Sequence, residues 1–414
     1  MKGEGRIVVI ADDITGAAEI AGIAKRHGLH TELLTFTPAA THDRGRLLSR
    51  PQPGTQVVVV ATDTRSGSKE EAIATVRLAA QQFAGADSHR APYNGLALPG
   101  AAQSCLALPG ARLFKKTDSA LRGHIAAEVT ALMEAAGYKK TLLIAQNPSK
   151  GRIISGGTYY INGVPLADTA FRYDPEFPAV TSTARDIVGG NENIIIADAV
   201  TADDVYIKLS ETGADTLVAG AADCFEAFLA TVGTDSGRAP QPRATAQTLH
   251  VSHSTLHTSH PPFIIVCGST QSRSLEDEPF IRQSDAEEIG LPVELFHGRQ
   301  SPEAWFERLQ QSYSRHNAIV VTIGQPSTGG KAYAVRLRNL MAEAVGRLVL
   351  ARQPATLVIE GGATAFATLQ QLGWQAFAIT AELAPGVVSM DHKGTAVILK
   401  PGSYPWGNLF TLSS

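Results

Sequence analysis

The chain has 414 residues, with 36 Lys and Arg against 39 Asp and Glu and a formal net charge of −3. Because one domain holds roughly 100–200 residues, at least two domains are expected. With 44% hydrophobic and 18% charged residues, the chain has enough apolar side chains for large cores and too few charges for a disordered protein. The absence of a basic excess argues against a nucleic-acid scaffold.

The cysteines and the hydropathy pattern narrow the class further. Cys105, Cys224 and Cys267 are far apart in sequence and form no C-x-x-C pair. A disulfide framework or a zinc ribbon is therefore not expected, and a reducing compartment fits. No apolar run approaches the roughly 20 residues of a membrane-spanning helix, and residues 6–11 already have the pattern of a strand. We expect a cytoplasmic protein that binds neither membranes nor nucleic acids.

The first half of the chain alternates short β-branched segments with amphipathic ones. We expect strands at 6–11, 31–36, 57–61, 112–116, 141–146, 194–199 and 216–221. Helices are expected at 15–27, 69–83 and 120–136, and after each of the last two strands. Apolar strands separated by helices are typical of parallel βαβ units. The loop 147–165, which carries Lys150 and Arg152, is predicted to form a β-hairpin, because Asn162-Gly163 is a hairpin turn signal.

The second half repeats this alternation after a stretch without apolar periodicity. Residues 234–261 collect Gly, Pro, Ser, Thr and His, as is typical of a linker or excursion. Strands are then expected at 263–268, 292–296, 318–324, 356–361, 376–380 and 395–400. The predicted organisation is two layered α/β domains with largely parallel sheets, at 1–233 and 262–414.

Charged residues follow several predicted strands of the first domain. Ligands of open α/β sheets bind at the carboxyl ends of the strands. In this chain those ends deliver Asp12-Asp13, Asp63 with Arg65, the KKTDS segment 115–119, and Asp198. Carboxylates accept protons from hydroxyl groups, and neighbouring cations hold an anionic end. The pattern therefore favours a small, polyhydroxylated anion as the ligand.

Each of these residues also has a structural interpretation. One of Asp12 and Asp13 is expected to cap the following helix, so only one of the two is put forward as a ligand. Asp63 fits turn chemistry equally well, and Asp198 precedes a helix cap and is expected to be structural. The 115–119 segment is harder to explain structurally, because its lysines alternate faces and its serine is expected at a helix N-terminus.

Glycine-rich turns follow three strands of the second domain. They are Gly268-Ser269-Thr270, 324–331 and Gly361-Gly362-Ala363-Thr364. Glycine allows a ligand to approach the backbone and a helix N-terminus favours phosphate, so three such turns at one edge favour a nucleotide. The 324–331 segment is not a P-loop, because Ala332 stands where the magnesium-binding Ser or Thr is required. A dinucleotide fingerprint is missing after the first strand, which disfavours an NAD-dependent dehydrogenase.

Two further patterns carry little weight. Asp391-His392 is expected to form a turn rather than an acid–base pair. Four histidines with metal-like spacing lie in a Ser/Thr-rich segment without Cys or carboxylate support, so a metal site is not expected there. They are His250, His253, His257 and His260.

Longer segments resemble the four-carbon acid sugar kinase family. In the first domain these are ADDITGAAEIAGIAKRHG at 11–28, KKTDSALRGHIAAEV at 115–129 and NPSKGRIISGGTYYINGVPL at 147–166. In the second domain they are EGGATAFATLQQLG at 360–373, AELAPGV at 381–387 and LKPGSY at 399–404. The resemblance spans nearly the whole chain in the same order. It implies an N-terminal sugar-acid-binding domain, a C-terminal ATP-binding domain and an interdomain cleft.

The resemblance also implies roles for individual residues. It places the substrate contacts on Asp12, Arg65, Lys116, Thr117, Asp118 and Ser119. Asp118 and Asp12 are the catalytic candidates among them. It places the ATP contacts on Ser269, Gly361, Gly362, Ala363, Thr364 and Gly402. The magnesium ligands and the oligomeric state stay open, with a homodimer among the alternatives.

The resulting hypothesis is phosphoryl transfer from ATP, with Mg²⁺, to the 4-hydroxyl of a four-carbon sugar acid. D-threonate and D-erythronate come first, because the segment from Lys116 to Gly123 resembles that branch of the family. Arg65 and Lys116 would bind the substrate carboxylate, and Asp12 or Asp118 would hold the hydroxyls or deprotonate the nucleophile. The alternatives are a 3-oxo-tetronate 4-kinase and a non-catalytic sugar-acid-binding protein.

Overall fold

The computed structural model of the protein describes residues 6–37, 51–83, 111–174, 176–234, 262–268, 286–324 and 330–402. The chain divides into two compact units, Met1–Arg243 and Ala244–Ser414. The predicted linker 234–261, the four histidines within it, Cys105 and Ser269 lie outside the described residues, apart from position 234. The domain limits at 233 and 262 therefore stay predictions.

The first unit is a parallel α/β layer structure. Its main sheet holds β1 (Ile7–Ala11), β2 (Thr31–Thr35), β3 (Val57–Ala61), β4 (Arg112–Lys116), β5 (Lys140–Ile144), β9 (Ile194–Ile196) and β10 (Thr216–Gly220). These strands lie in the order β2-β3-β1-β4-β10-β5-β9, and their pairings are parallel. The helices are α1 (Ile14–Arg26), α2 (Lys69–Phe83), α3 (Ile125–Ala135), α4 (Ala184–Val188), α5 (Ala202–Ser210) and α6 (Ala222–Thr234).

Helices cover both faces of this sheet, as the apolar strands predict. α1 packs with α6, which packs with α5, whereas α2 packs with α3. Every residue of β1, β2, β3 and β10 is buried, because neither face of these strands meets solvent. At the start of α2 the backbone N–H of Ser68 donates to the Glu71 carboxylate and the N–H of Glu71 donates to the Ser68 hydroxyl, which together form a capping box.

The 147–165 segment forms a small sheet of its own, as the hairpin signal predicts. It holds β6 (Arg152–Ser155), β7 (Thr158–Ile161) and β8 (Val164–Pro165), in that order and antiparallel. Both of its turns use residues with positive φ, Gly156-Gly157 in the first and Asn162-Gly163 in the second. These conformations match the twist of the flanking strands. Ile154 and Tyr159 are fully buried in one cluster with Val129 of α3.

One helix of this unit begins later than its pattern predicts. Apolar periodicity placed the start at residue 120, but α3 begins at Ile125. Asp118 accepts a hydrogen bond from the backbone N–H of Ala120, and Leu121 has a φ of 61°. Such a left-handed residue interrupts a helix, so 118–124 form a loop at the carboxyl end of β4.

The second unit also has a parallel core but adds an antiparallel edge. Its strands are β11 (Phe263–Cys267), β12 (Glu287–Gly290), β13 (Ala318–Thr322), β14 (Thr356–Glu360), β15 (Ala376–Ala384), β16 (Val387–His392) and β17 (Thr395–Lys400). In the order β12-β13-β11-β14-β17-β16-β15, the first five are parallel and the last three are antiparallel. The helices are α7 (Val293–Phe296), α8 (Glu303–His316), α9 (Lys331–Arg352) and α10 (Gly362–Gln371).

Two predictions for this unit are wrong. Residues 292–296 are not a strand, because Pro292 is the N-cap of the short helix α7, and the strand lies earlier, at β12. Asp391 and His392 are not a turn but the last residues of β16, and the turn is formed by the following Lys393-Gly394, both with positive φ. Among the described residues, no helix is both long and apolar enough to cross a membrane.

A buried ion pair joins β4 to α3. Lys115 Nζ lies 2.8 Å from Glu128 Oε2, and both side chains are at most 2% exposed. Removing one partner leaves an uncompensated charge in the core. We therefore expect Lys115→Met to lower the free energy of unfolding by about 3–5 kcal/mol. Urea unfolding should be followed by circular dichroism. Tryptophan fluorescence would report on the wrong unit, because the three tryptophans, at 305, 374 and 406, all belong to the second one.

The double variant Lys115→Met with Glu128→Leu is the control for this prediction. Since both charges are then absent, most of the lost stability should return. A double variant as unstable as the single one would mean that the lysine stem, rather than the ion pair, carries the effect.

Candidate functional site

The carboxyl ends of three neighbouring strands bring the predicted substrate residues together. β1 pairs with β3 on one side and with β4 on the other, in parallel register. Asp12 and Asp13 follow β1, Arg65 follows β3, and Thr117 follows β4. Parallel strands end at the same edge of a sheet, so residues that are more than 50 positions apart in sequence become neighbours.

The centre of this edge is the guanidinium of Arg65. Its Nε lies 2.8 Å from Asp12 Oδ2, its Nη2 lies 3.0 Å from Asp13 Oδ1, and its Nη1 lies 3.4 Å from Asp118 Oδ1. The side chain is only 14% exposed. Burial works against the charged form, but the three carboxylates outweigh burial and raise the pKa of Arg65. We call Arg65 with Asp12, Asp13 and Asp118 the arginine cluster.

Asp13, not Asp12, caps the following helix. Asp13 Oδ1 accepts a hydrogen bond from the backbone N–H of Gly16 at 3.1 Å, and Oδ2 accepts one from Thr15 Oγ1 at 2.5 Å. Although burial opposes the shift, Arg65 and Lys116 lower the pKa of Asp13. The expectation that one aspartate of the pair serves as the cap is therefore confirmed.

Asp12 is left with one oxygen free. Its side chain is 5% exposed, Oδ2 faces Arg65, and Oδ1 is buried and has no hydrogen-bond partner among the described residues. Burial raises the pKa of Asp12 and outweighs the opposing effect of Arg65. A buried acceptor without a donor is costly, so it points to a hydroxyl that a ligand supplies.

Asp118 has the opposite character, because donors surround it. Its Oδ2 accepts from the backbone N–H groups of Ala120 and Arg122, at 3.0 and 3.2 Å, and from Arg122 Nε at 3.0 Å. Its Oδ1 accepts from Arg122 Nη2 at 3.0 Å. Despite burial, Arg65 and Arg122 lower the pKa of Asp118 strongly. Arg122 also reaches Asp174 at 3.3 Å.

The remaining predicted substrate residues lie around the same loop. Lys116 Nζ donates to the carbonyl of Thr117 at 2.9 Å and lies 3.9 Å from Glu19, which pairs with Lys150 at 2.5 Å. The hydroxyl of Thr117 is buried without a partner among the described residues. Ser119 accepts hydrogen bonds from Arg152 at its hydroxyl and from Tyr159 at its carbonyl.

The helix-terminus interpretation of Ser119 is wrong. It was expected at a helix N-terminus, but α3 begins six residues later, at Ile125. The backbone amides near Ser119 therefore belong to a loop. What the structure offers there instead is the guanidinium of Arg152, which reaches Ser119 from the small sheet.

Several partners of these residues were not among the predicted site residues. Arg122 had a usable signal, because it lies four positions after Asp118. Lys150 and Arg152 stand out only as basic residues of the hairpin. Glu19 sits in the middle of the apolar helix α1, and buried glutamates of this kind are normally paired.

Two other strand-end aspartates lie apart from this arrangement. Asp63 adopts a left-handed conformation and accepts a hydrogen bond from Ser66, as in a turn. Asp198 accepts from the backbone N–H of Gly157 at 3.2 Å and so holds the small sheet. Its structural interpretation is confirmed.

In the second unit, the glycines that follow the parallel strands lie at one sheet edge. Gly268, Gly324 and Gly361 follow the neighbouring parallel strands β11, β13 and β14, and Gly402 follows β17 soon after its end. Gly361 has a φ of 93° and precedes α10, whose first turn contains Gly362, Ala363 and Thr364. The N–H groups of a first helical turn lack intrahelical acceptors and suit phosphate.

A buried ion pair supports this edge. Lys400 Nζ at the end of β17 lies 2.6 Å from Glu360 Oε1 at the end of β14, and both side chains are at most 3% exposed. The carbonyl of Lys400 accepts from the backbone N–H of Gly361 at 2.9 Å. Gly268 packs so closely on Thr364 that an added Cβ would lie 2.0 Å from Thr364 Oγ1.

Comparison with known proteins matches each unit to a known domain family. Residues 7–95 and 97–193 match the family model of a sugar-binding N-terminal domain. Residues 265–404 match that of a nucleotide-binding C-terminal domain. The chain is therefore a two-domain protein that combines a sugar-binding part with a nucleotide-binding part.

D-threonate, D-erythronate and 3-oxo-tetronate kinases are among its curated relatives. The D-threonate kinase of Salmonella typhimurium is 28% identical over 48% of this chain and 40% of its own length. The 3-oxo-tetronate kinase of Brucella melitensis is 29% identical over 43% of this chain and 34% of its own. In these two alignments, the chain spans less than half of the relative's own length. The D-threonate kinase of Bordetella bronchiseptica is 23% identical over 96% of this chain and 94% of its own length.

A crystal structure from Salmonella typhimurium LT2 shares the fold over 98% of both chains, with a TM-score of 0.69 and 20% identity. The matches run through both units in order. The chain belongs to the four-carbon acid sugar kinase family.

The opposite pKa shifts of Asp118 and Asp12 predict opposite effects on stability. The pKa of Asp118 is lowered, so its carboxylate stabilises the fold above the unfolded pKa of about 3.9. Asp118→Asn should therefore lower the free energy of unfolding at pH 7 by about 3 kcal/mol, a deficit that shrinks below about pH 4. The pKa of Asp12 is raised, so its ionised form costs stability at neutral pH. Asp12→Asn should raise the free energy of unfolding by about 1 kcal/mol.

Urea unfolding of both variants and the wild type between pH 3 and pH 8, followed by circular dichroism, measures these differences. Equal destabilisation by both substitutions at pH 7 would contradict the assignment of a costly carboxylate at Asp12 and a stabilising one at Asp118.

Proposed function

We propose that this protein transfers the γ-phosphoryl group of ATP to the terminal 4-hydroxyl of a four-carbon sugar acid, with D-threonate and D-erythronate as the first candidates. The observation that carries the proposal is the Oδ1 of Asp12, which is buried without a hydrogen-bond partner among the described residues, in the unit that matches a sugar-binding domain. Membership of the kinase family supports the same reaction. A cytoplasmic location, where ATP is available, goes with it.

Asp12 is the proposed catalytic base. A carboxylate oxygen without a donor is ready to accept the proton of a substrate hydroxyl, and its raised pKa makes it a better base than an ordinary aspartate. Phosphoryl transfer depends mainly on placing the nucleophile and neutralising charge. In this proposal Asp12 orients the 4-hydroxyl and takes its proton as the oxygen attacks phosphorus.

Asp118 and Arg65 act as positioning residues in this proposal. The pKa of Asp118 is strongly lowered and both of its oxygens accept hydrogen bonds, which makes it a weak base. Its contacts hold the guanidinium of Arg65 against Asp12. A side chain that is locked by such contacts keeps the base in one orientation, as efficient catalysis requires.

ATP is assigned to the glycine turns of the second unit. Gly361, Gly362, Ala363 and Thr364 would receive the phosphates at the start of α10, and Gly402 follows the neighbouring strand. No group of three His, Cys, Asp or Glu side chains in the described part of the chain could hold a metal ion. Mg²⁺ in proteins is often carried by the substrate phosphates with few protein ligands, which is how we assign it here.

A 3-oxo-tetronate 4-kinase is the second candidate, because 3-oxo-tetronate kinases are among the relatives. A 3-oxo-tetronate has a ketone at the third carbon, where D-threonate and D-erythronate have a hydroxyl. ADP formation with D-threonate, D-erythronate and a 3-oxo-tetronate, measured side by side, decides between them. A non-catalytic sugar-acid-binding protein would form no ADP with any of the three.

For the preferred sugar acid, Asp12→Asn should lower kcat by about 10²–10⁴-fold, because the amide cannot accept the hydroxyl proton. The KM for ATP should stay within about twofold, since ATP is assigned to the other unit. Steady-state ADP release measures both constants. Asp186→Asn, at an exposed position in α4, is the matched control and should leave kcat unchanged. A kcat within about threefold of wild type for Asp12→Asn would overturn the assignment of the base.

The glycine turn predicts a separate effect on ATP. Gly268→Ala should raise the KM for ATP by about tenfold and leave the KM for the sugar acid unchanged, because the new methyl group would displace Thr364 at the start of α10. Gly290→Ala is the control, since the nearest atom to its methyl group, Thr322 Oγ1, lies at an ordinary 3.5 Å. An unchanged KM for ATP in Gly268→Ala would contradict the placement of ATP at this turn.

A further inference from the structure

The cation that binds the substrate carboxylate is the open question in the proposed reaction, and its assignment rests on that proposed function. The sequence pattern favours Arg65 and Lys116. A carboxylate is best held by a guanidinium that presents two parallel N–H donors. The guanidinium must also form no ion pair with an Asp or Glu side chain, because such a side chain would compete with the carboxylate of the substrate.

Arg65 does not meet this condition. Three carboxylates, those of Asp12, Asp13 and Asp118, lie within 3.4 Å of its nitrogens. The arginine cluster holds one cation against three anions. A fourth carboxylate at the same guanidinium would be repelled by those three.

Arg122 and Lys116 do not meet it either. Arg122 makes a bidentate pair with Asp118 and also reaches Asp174. Lys116 Nζ is turned toward the carbonyl of Thr117 and lies 3.9 Å from Glu19, with its side chain only 4% exposed. These cations balance charges that the protein already holds.

Arg152 meets the condition. Three described arginines contact the 118–119 segment, namely Arg65, Arg122 and Arg152, and within the described residues only Arg152 forms no ion pair with a carboxylate. One of its Nη atoms donates to the hydroxyl of Ser119, a predicted substrate contact. Its guanidinium carbon lies 5.7 Å from the ring centroid of Phe171, which helps to orient it.

The backbone around Arg152 is fixed as well. Arg152 is the first residue of β6, and Ile154 in the same strand is fully buried. Tyr159 on the paired strand β7 donates to the carbonyl of Ser119 and is itself buried. The small sheet is thus tied to the loop that follows β4, and it presents a partly buried, preorganised guanidinium beside the arginine cluster.

We infer that Arg152 binds the carboxylate of the sugar acid and thereby selects acids over neutral polyols. In this assignment, Arg65 keeps Asp12 in position at one end of the substrate, and Arg152 holds the anionic group at the other. The anionic substrate also supplies the carboxylate partner that Arg152 does not have among the described residues.

The experiment compares the acids with tetritols, in which a neutral hydroxymethyl group replaces the carboxylate. Arg152→Gln should raise the KM for the preferred acid by about 100-fold, because a charged, bidentate pair is lost. Activity with threitol and erythritol, slow in the wild type, should stay within about twofold. The ratio of kcat/KM for the acid to kcat/KM for the matching tetritol should therefore fall by about 100-fold. Arg152→Lys keeps the positive charge but not the paired N–H donors of the guanidinium, so its acid-to-tetritol ratio should lie between those of the wild type and Arg152→Gln.

Arg172→Gln is the matched control, because this exposed arginine lies in the same unit and forms no ion pair with a carboxylate among the described residues. It should leave the acid-to-tetritol ratio unchanged. Equal losses with acid and tetritol in Arg152→Gln would mean a structural role and would overturn the inference. An unchanged ratio in that variant would overturn it as well.

Calorimetric titration of the full chain with D-threonate and D-erythronate separates this inference from the proposed function. If the wild type binds an acid but releases no ADP, the kinase proposal fails, and a roughly 100-fold weaker affinity of Arg152→Gln still supports the carboxylate assignment. If the wild type releases ADP and the variant binds the acid as tightly as the wild type does, the carboxylate assignment alone fails. If the wild type binds no sugar acid, both fail.

Discussion

The guanidinium of Arg65, buried between the carboxylates of Asp12, Asp13 and Asp118, is the interaction on which the sugar-binding unit depends. The four residues follow three adjacent parallel strands, so the guanidinium ties the carboxyl ends of β3, β1 and β4 together. A charge in this position is tolerated only when its partners surround it. The cluster therefore constrains the loops after all three strands at once, and it leaves one negative group, Asp12, with an oxygen that no other described residue uses.

That constraint separates residues which look alike in the sequence. Asp13 is occupied by capping α1 and Asp118 by Arg122, so neither has an acceptor to offer, whereas Asp12 has one. The same logic separates the cations. Arg65 balances charges within the protein, and Arg152 keeps its charge for a ligand. The roles that we propose for Asp12 as the base and for Arg152 as the carboxylate-binding cation thus follow from which charged groups already have partners inside the fold.

The nucleotide-binding unit uses a second buried ion pair in a comparable way. Glu360 and Lys400 end the adjacent strands β14 and β17, and the carbonyl of Lys400 holds the N–H of Gly361. The pair fixes the turn that leads into α10, while the absence of a side chain at Gly268 lets Thr364 pack against it. Here the charges are structural, and the groups that we propose to face the ligand are backbone amides at the start of a helix.

The sequence by itself determined the alternation of strands and helices, the two α/β layers, the small hairpin sheet and the residues at the strand ends, because periodicity and turn chemistry are local and parallel strands end at one edge. It misjudged 292–296 and the start of α3, where a proline and a left-handed Leu121 override apolar periodicity. Only the tertiary structure decided which aspartate caps, that Ser119 meets Arg152 rather than a helix terminus, and that Arg65 is enclosed by acids. Charge pairing depends on distances between side chains that lie far apart in sequence, and no local pattern contains those distances.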